Sequence, residues 1–211
     1  MEKSCVQRAV TLAVCTKLAA QGQYYVPAAS SARHVHLSKQ DIETLFGKGY
    51  ELTEFKALTQ PGQFASDEKI TIKGSKGELK GVRVLGPARS STQVEISLTD
   101  SFKLGVKPVV RMSGNIQGTP GAVLVGPKGK VVLSEGVIVS ARHLHISEDE
   151  AKLYNVKNGD IISVKKDGDR ETTFGNVVVR CGKGHSLEVH LDTDEANAAL
   201  ITNGVLLEVI R

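Results

Sequence analysis

The chain has 211 residues, 24% of them charged and 40% apolar, with a formal net charge of +4. That length allows one large domain or two small ones, and the composition is ordinary for a soluble globular protein. No apolar run approaches the ~20 residues of a membrane span, no basic stretch with interleaved aromatics suits nucleic acid, and the mildly basic balance suits a small anionic substrate.

The three cysteines, Cys5, Cys15 and Cys181, form no C-x-x-C pair. They argue against a disulfide framework, and with no apolar signal region at the start the reading is intracellular and cytoplasmic. There is no Trp and only 4% aromatics, so the core must be Val, Ile, Leu and Ala. The 21 glycines imply many tight turns and hence β-structure.

In chain order, residues 1–21 read as an N-terminal amphipathic helix. Val6, Val10, Ala13, Val14 and Leu18 recur at three- and four-residue steps. Residues 22–30, with Gly22 and Pro27, read as a linker. The helix is expected to dock on a partner, or to pack on its own barrel or a second subunit.

Residues 31–112 form the first β-rich half. Val26 to His36 is extended, and Ser38 with Asp41 caps a helix to Phe46. Leu52 to Ala65 has no period and reads as a loop. Lys69–Lys73, Gly81–Leu85 and Thr92–Leu98 read as strands. Residues 113–136 are a crossover segment with strands at Ala122–Val125 and Val131–Leu133. Gly114 to Gly121 lacks a Gly-Lys-Ser/Thr ending, so it reads as structure rather than a phosphate cradle.

Residues 137–211 form the second half. Val137–His145 is extended, and Ser147 with Glu150 caps a helix to Tyr154. Strands follow at Ile161–Lys165, Asn176–Arg180 and Ser186–Leu191. The predicted fold is mostly β with short helices: two tandem, internally repeated β-barrel domains after the helix.

The repeat rests on Ser31-Ala-Arg-His-Val-His36 and Ser140-Ala-Arg-His-Leu-His145, 109 residues apart (143 − 34). They hold four of the six histidines. Residues i and i+2 of a strand share a face, so each pair projects together. The strand cores Gln93–Ile96 and Glu188–Leu191 then align Glu95 with His190. The distance from the His pair is 61 residues in one half (95 − 34) and 47 in the other (190 − 143). The difference of 14 residues matches the Leu52–Ala65 loop.

Two ligand sets follow: His34, His36 and Glu95, and His143, His145 and His190. Three protein ligands with an open position is the pattern of a catalytic metal centre. The set with a carboxylate should carry less positive charge than the all-imidazole set. A single His-x-His is more often satisfied core histidine; two copies in one repeated frame favour metal. Arg89, in a Gly-Pro-Ala-Arg-Ser-Ser turn, suits a phosphate. Arg33 and Arg142 project away from the adjacent histidines. His185 is expected to be exposed without a partner, and Cys181 to pack as a small hydrophobe. No nucleophilic serine or cysteine is evident.

The two Ser-Ala-Arg-His-x-His copies, Gly86-Pro-Ala-Arg-Ser-Ser-Thr-Gln-Val-Glu95 and Gly114-Asn-Ile-Gln-Gly-Thr-Pro-Gly121 together resemble the PduL-type phosphate propanoyltransferases. The resemblance implies two tandem β-barrels and a phosphotransacylase of propanediol degradation. Its reaction interconverts short-chain acyl-CoA plus phosphate with acyl phosphate plus coenzyme A. It implies two divalent metal ions, zinc by preference, on the six ligands above, and Arg89 as the phosphate-binding residue. It also implies coenzyme A contacts at Ser30, Ser31, Ala32, Lys76, Arg83 and Asn197. A homo-oligomer is expected, similar chains are often associated with a bacterial microcompartment, and the N-terminal helix resembles peptides that take some members into a shell. Two other readings stand beside this one: a zinc-dependent thioester or phosphoester hydrolase, and a non-enzymatic metal-binding microcompartment protein. A phosphate-gripping arginine weighs against the first. Six ligands around open centres weigh against the second.

Overall fold

The computed structural model describes residues 3–210, with side chains from Val6 onward. The expected helix start at Met1 and the side chain of Cys5 lie outside the described residues. Contacts divide the chain into two compact units. Residues 32–140 form a central unit, and the described residues up to Ser31 join those from Ala141 onward in a terminal unit.

The chain opens with α1 (Lys3–Ala19) and β1 (Tyr25–Ser31), both in the terminal unit. The central unit runs β2 (His34–Ser38), α2 (Lys39–Phe46), β3 (Glu54–Ala57), β4 (Phe64–Lys73), β5 (Glu78–Arg89) and β6 (Gln93–Ile96). It continues with α3 (Leu98–Leu104), β7 (Val110–Arg111), β8 (Ala122–Val125), β9 (Lys130–Leu133) and β10 (Val137–Ser140). The terminal unit resumes with β11 (His143–Ile146), α4 (Glu148–Tyr154), β12 (Ile161–Lys166) and β13 (Thr172–Cys181). It ends with β14 (Glu188–Asp192), α5 (Thr193–Ala198) and β15 (Leu206–Ile210). Strand is thus the commonest structure of the described residues, ahead of helix.

The terminal unit is a closed barrel in the order β1-β14-β11-β13-β12-β15, with β15 returning antiparallel to β1. Its core is aliphatic, with Leu144, Ile146, Val164, Val177, Val189 and Leu207 buried. The central unit is a nine-stranded sheet, β7-β10-β6-β2-β5-β4-β8-β9, with β3 on β4. One of the two expected barrels is therefore an open sheet. Its ends are the two-residue β7 and the β8–β9 hairpin, and no pairing among the described residues joins them. Val35, Leu37, Ile72, Val84, Val94 and Leu124 form its separate core.

Three expectations need correcting. Residues 22–30 are not a linker, because Tyr25–Ser31 is a barrel strand with Val26, Pro27 and Ala28 buried. Leu52 to Ala65 is not a bare loop, since β3 and β4 make a hairpin there. All four residues of β3 are exposed, and a strand wet on both faces shows no alternation. The apolar stripe on α1 does not pack inward. Val6, Val10 and Val14 are 45%, 58% and 43% exposed, while Leu12, Cys15 and Ala19 pack on the barrel core. Burial pushes the Cys15 thiol up to about 11.

The helices are capped from sequence. Ser97 with Asp100, Ser147 with Glu150 and Asp192 with Glu195 form reciprocal capping boxes. Ser38 caps α2 in one direction only, because Asp41 pairs with Thr92 instead. Gly105 ends α3 in the left-handed conformation (φ 70°). A Cβ there would run into the Lys76 side chain, so glycine lets the Lys76 N–H reach the Leu104 carbonyl at 3.0 Å.

Candidate metal centres and anion site

Each unit contains the same three-strand frame. β2 lies between β5, parallel, and β6, antiparallel, with His34 opposite Glu95 and His36 opposite Gln93. β11 lies between β13, parallel, and β14, antiparallel, with His143 opposite His190 and His145 opposite Glu188. Leu85, opposite His36, precedes Glu95 by ten residues (95 − 85). Arg180, opposite His145, precedes His190 by ten (190 − 180). The connections therefore correspond position by position, Gln93 with Glu188 and Ser90 with His185.

These frames bring the six predicted ligands into two clusters. One ligand atom from each of His34, His36 and Glu95 lies within 4.8 Å of the others, and the same holds for His143, His145 and His190. All are buried except the half-buried His190. Nε2 of His34 and of His36 lies 3.6 and 3.9 Å from Oε2 and Oε1 of Glu95. That is long for a hydrogen bond and close to the separation of about 3.4 Å expected between ligands that each sit ~2.1 Å from one tetrahedral cation.

The hydrogen bonding suits ligation too. His34 Nδ1 lies 2.8 Å from the Ala32 carbonyl, and His143 Nδ1 lies 2.8 Å from the Ala141 carbonyl. A proton on Nδ1 leaves the lone pair on Nε2. His36 Nδ1 and His145 Nδ1 are buried without a partner. A cation held by the other ring nitrogen would give these rings a reason to be buried, with Nδ1 still unpaired. Burial, then the charges of His34 and Arg89, holds His36 down to about 3. Burial, then His190 and His143, holds His145 at about 2. Both stay neutral, the form that binds metal. For His34 burial opposes charging, but the charge and hydrogen bond of Glu95 outweigh it and the net is upward.

Arg89 ends β5 in register with Ser38. Its Nη1 donates to Ser113 Oγ at 3.0 Å, and its charge bears on both His34 and His36. Gln93 Nε2 donates to Ser113 Oγ at 2.8 Å, and its Oε1 accepts from the Gly114 N–H at 2.7 Å. Gln93 also donates to Glu95 Oε1 at 2.6 Å. The anion-binding candidate and the carboxylate ligand thus belong to one network, and the crossover segment supplies part of it.

The expected coenzyme A contacts fall in both units. Ser30 and Ser31 end β1 opposite Leu191 and Asp192, and the exposed Asn197 lies in α5. In the central unit Ala32 offers its carbonyl to His34, and Lys76 is exposed between Gly74 and Gly77. Arg83 lies opposite His34, donates to the Ser66 carbonyl and stacks 4.8 Å over the Phe55 ring. Arg33 and Arg142 serve structure instead. Each Nε reaches the acid of a capping box, Arg33 to Asp100 at 2.9 Å and Arg142 to Glu195 at 2.5 Å.

Two readings at the second cluster change. His185 is half-buried, its Nδ1 lies 2.7 Å from the Arg180 carbonyl, and its ring stands edge-on to His145 at 4.7 Å. The second set is also not free of carboxylate surroundings, because Glu188 Oε2 lies 2.9 Å from His190 Nε2. The charge contrast between the clusters is accordingly smaller than their ligand types suggest. Gln93 and Glu188 were legible in principle, each two residues before a predicted ligand and on its face. Arg8, which pairs with Glu188 at 3.1 Å across 180 residues, carries no local signal.

The model of the phosphate propanoyltransferase family matches residues 27–202. A phosphate propanoyltransferase of Thermotoga maritima is 53% identical over 181 residues, covering 85% of this chain and 86% of the relative. One of Lachnoclostridium phytofermentans is 50% identical over 188 residues, covering 89% and 88%. One of Salmonella typhimurium is 51% identical over 175 residues, covering 82% and 83%. On this match and on these relatives, the chain belongs to the phosphate propanoyltransferase family.

Proposed function

We propose that this chain is a phosphate acyltransferase, interconverting a short-chain acyl-CoA (propanoyl or acetyl) plus phosphate with acyl phosphate plus coenzyme A. The observation that carries this is the Arg89–Ser113–Gln93–Glu95 network, which ties an anion-binding arginine to a ligand carboxylate. His34, His36 and Glu95 would hold one divalent ion, zinc by preference, and His143, His145 and His190 a second. A cation bound there supplies Lewis-acid polarisation of the thioester carbonyl, or stabilises the departing thiolate.

The residues do the rest by positioning. Arg89 grips the phosphate dianion with parallel N–H donors, and Ser113 fixes the guanidinium from one side. A phosphate oxygen attacks the carbonyl carbon, the C–S bond breaks and the electron pair leaves with sulfur. Ser113, the hydroxyl bonded to Arg89, accepts from Arg89 and Gln93 and is seen to donate to no base among the described residues, which supports direct transfer without an acyl-enzyme. Ser30, Ser31, Ala32, Lys76, Arg83 and Asn197 are the proposed coenzyme A contacts. The outward face of α1, with Val6, Val10 and Val14 exposed, supports docking to microcompartment shell proteins. Homo-oligomer formation is the rival use of that face.

The test is coenzyme A release from propanoyl-CoA with and without phosphate, before and after chelation. Release that needs both phosphate and metal is expected. Phosphate-independent release would instead establish the hydrolase.

A further inference from the structure

We infer that α1 supplies a positioning residue to the second centre: Arg8, acting through Glu188, orients His190. The helix lies outside the segment matched by the family, residues 27–202. The inference rests on the proposal that His143, His145 and His190 hold a metal ion.

The Glu188 side chain is 5% exposed, so its charge is held by protein groups rather than by water. Its two oxygens divide the work. Oε1 accepts from Arg8 Nη1 at 3.1 Å, and Oε2 lies 2.9 Å from His190 Nε2. Arg8 Nη2 donates to Ser186 Oγ at 2.7 Å, so the guanidinium bridges two points flanking the start of β14. Two anchored nitrogens fix Arg8, Arg8 fixes the carboxylate plane, and the carboxylate fixes the imidazole. His190 Nε2–H donating to Glu188 leaves the lone pair on Nδ1 of a ring that stands 4.9 Å from both His143 and His145. A carboxylate behind a histidine ligand selects its tautomer and raises its basicity.

The corresponding position of the central unit explains why an arginine is needed only here. Gln93 occupies the place of Glu188 and is neutral, and it is satisfied locally by Ser113 and Gly114. Glu188 is anionic and buried, and its charge partner comes from α1. The helix is therefore part of the second centre's support as well as a surface element.

The experiment uses the full chain carrying Glu95→Ala, which leaves one centre to titrate with Zn²⁺ against a chromophoric chelator. Arg8→Ala and Glu188→Gln are each expected to weaken zinc binding by about ten- to a hundredfold. Adding Arg8→Ala to Glu188→Gln should weaken it no further, because both break one chain. Arg8→Lys should recover part of the loss, since an ammonium can meet Glu188 but not Ser186 as well. The visible spectrum of the Co²⁺ form should change in Arg8→Ala and stay unchanged in Lys17→Ala, on the helix surface. Zinc affinity and cobalt spectrum in Arg8→Ala equal to the parent would overturn the inference, as would losses that multiply in the double variant. A Glu95→Ala parent that binds no zinc would instead overturn the metal reading beneath it.

Discussion

Gln93 Nε2 donates to Oε1 of Glu95 at 2.6 Å, and both side chains are buried on one face of β6. The amide orients a carboxylate that would otherwise rotate between His34 and His36. Gln93→Leu keeps a strand residue of similar size but removes that hydrogen bond to the carboxylate. It should weaken metal binding at the first centre by about ten- to a hundredfold, as loss of a supporting hydrogen bond does. Zinc stoichiometry and affinity by chelator competition would check this, with binding at the second centre unchanged.

Arg89 is anchored by Ser113 and bears on the first cluster. Arg89→Ala should raise the KM for phosphate and lower kcat by at least about tenfold, the scale of one charge-assisted contact. Arg89→Lys should recover little, since an ammonium cannot make two parallel bonds to phosphate. Steady-state kinetics in varied phosphate decide it. Wild-type parameters in Arg89→Ala would remove Arg89 from the site.

Much of the arrangement was legible because two patterns of period two were available. The near-identical hexapeptides fixed which histidines share a face. Aligning Gln93–Ile96 with Glu188–Leu191 proposed the third member of each cluster, and in the sheets His34 lies opposite Glu95 and His143 opposite His190. The failures have physical reasons. Pro27 and Gly22 signalled a linker, but strand β1 pairs through long-range contacts with β14 and β15 that local composition does not record. The valine stripe of α1 was a true periodicity on the wrong face, because the residues that pack on the barrel core are Leu12, Cys15 and Ala19. Helices α3 and α5 carried the same Ser/Asp-x-x-Asp/Glu signal as α4 and were readable in the sequence. Closure of one sheet and not the other depends on edge pairing, which no single segment encodes.

Acid should destabilise the metal-free protein through its histidines. His36 and His145 titrate at about 3 and about 2 when folded, against an ordinary value of 6.5. Between those values the unfolded chain binds more protons, so stability falls as pH drops below about 6.5. Each group gives a slope of up to about 1.4 kcal/mol per pH unit. His34 is raised and acts oppositely: its contribution is present below 6.5 and is lost as pH rises through its folded value. Two depressed histidines outweigh one raised one. The urea midpoint of chelated protein should be lower at pH 5.5 than at pH 7.5, and a higher midpoint at pH 5.5 would contradict the assignment.

Arg142 ties β11 to the start of α5 and to β13. Its Nε meets Glu195 at 2.5 Å, its Nη1 donates to the Gly175 carbonyl at 2.7 Å, and it lies 5.4 Å over the Phe174 ring. Arg142→Ala should cost about 1–2 kcal/mol, since the side chains are partly shielded from solvent. Arg33→Ala should cost less, because the Arg33 side chain is 44% exposed against 31% for Arg142. Urea unfolding measures both, and the reverse order would show that exposure does not govern these clamps.

The two faces of α1 should separate by mutation. Val6, Val10 and Val14 are exposed and lie outside the barrel's core cluster. Replacing all three with Gln keeps good helix formers and removes an apolar stripe, and surface changes of this kind shift stability by no more than about 0.5 kcal/mol each. Turnover and zinc content should therefore stay at wild-type levels. On the proposal that a shell protein covers this stripe, recovery with the microcompartment shell fraction in cells should fall by at least about tenfold. Arg8→Ala lies on the other face, paired with Glu188. It should leave shell recovery intact while it loosens the second centre. If the triple Gln variant still enters the shell fraction but sediments as a smaller species than wild type, the stripe joins copies of this chain instead, and the shell contact lies elsewhere.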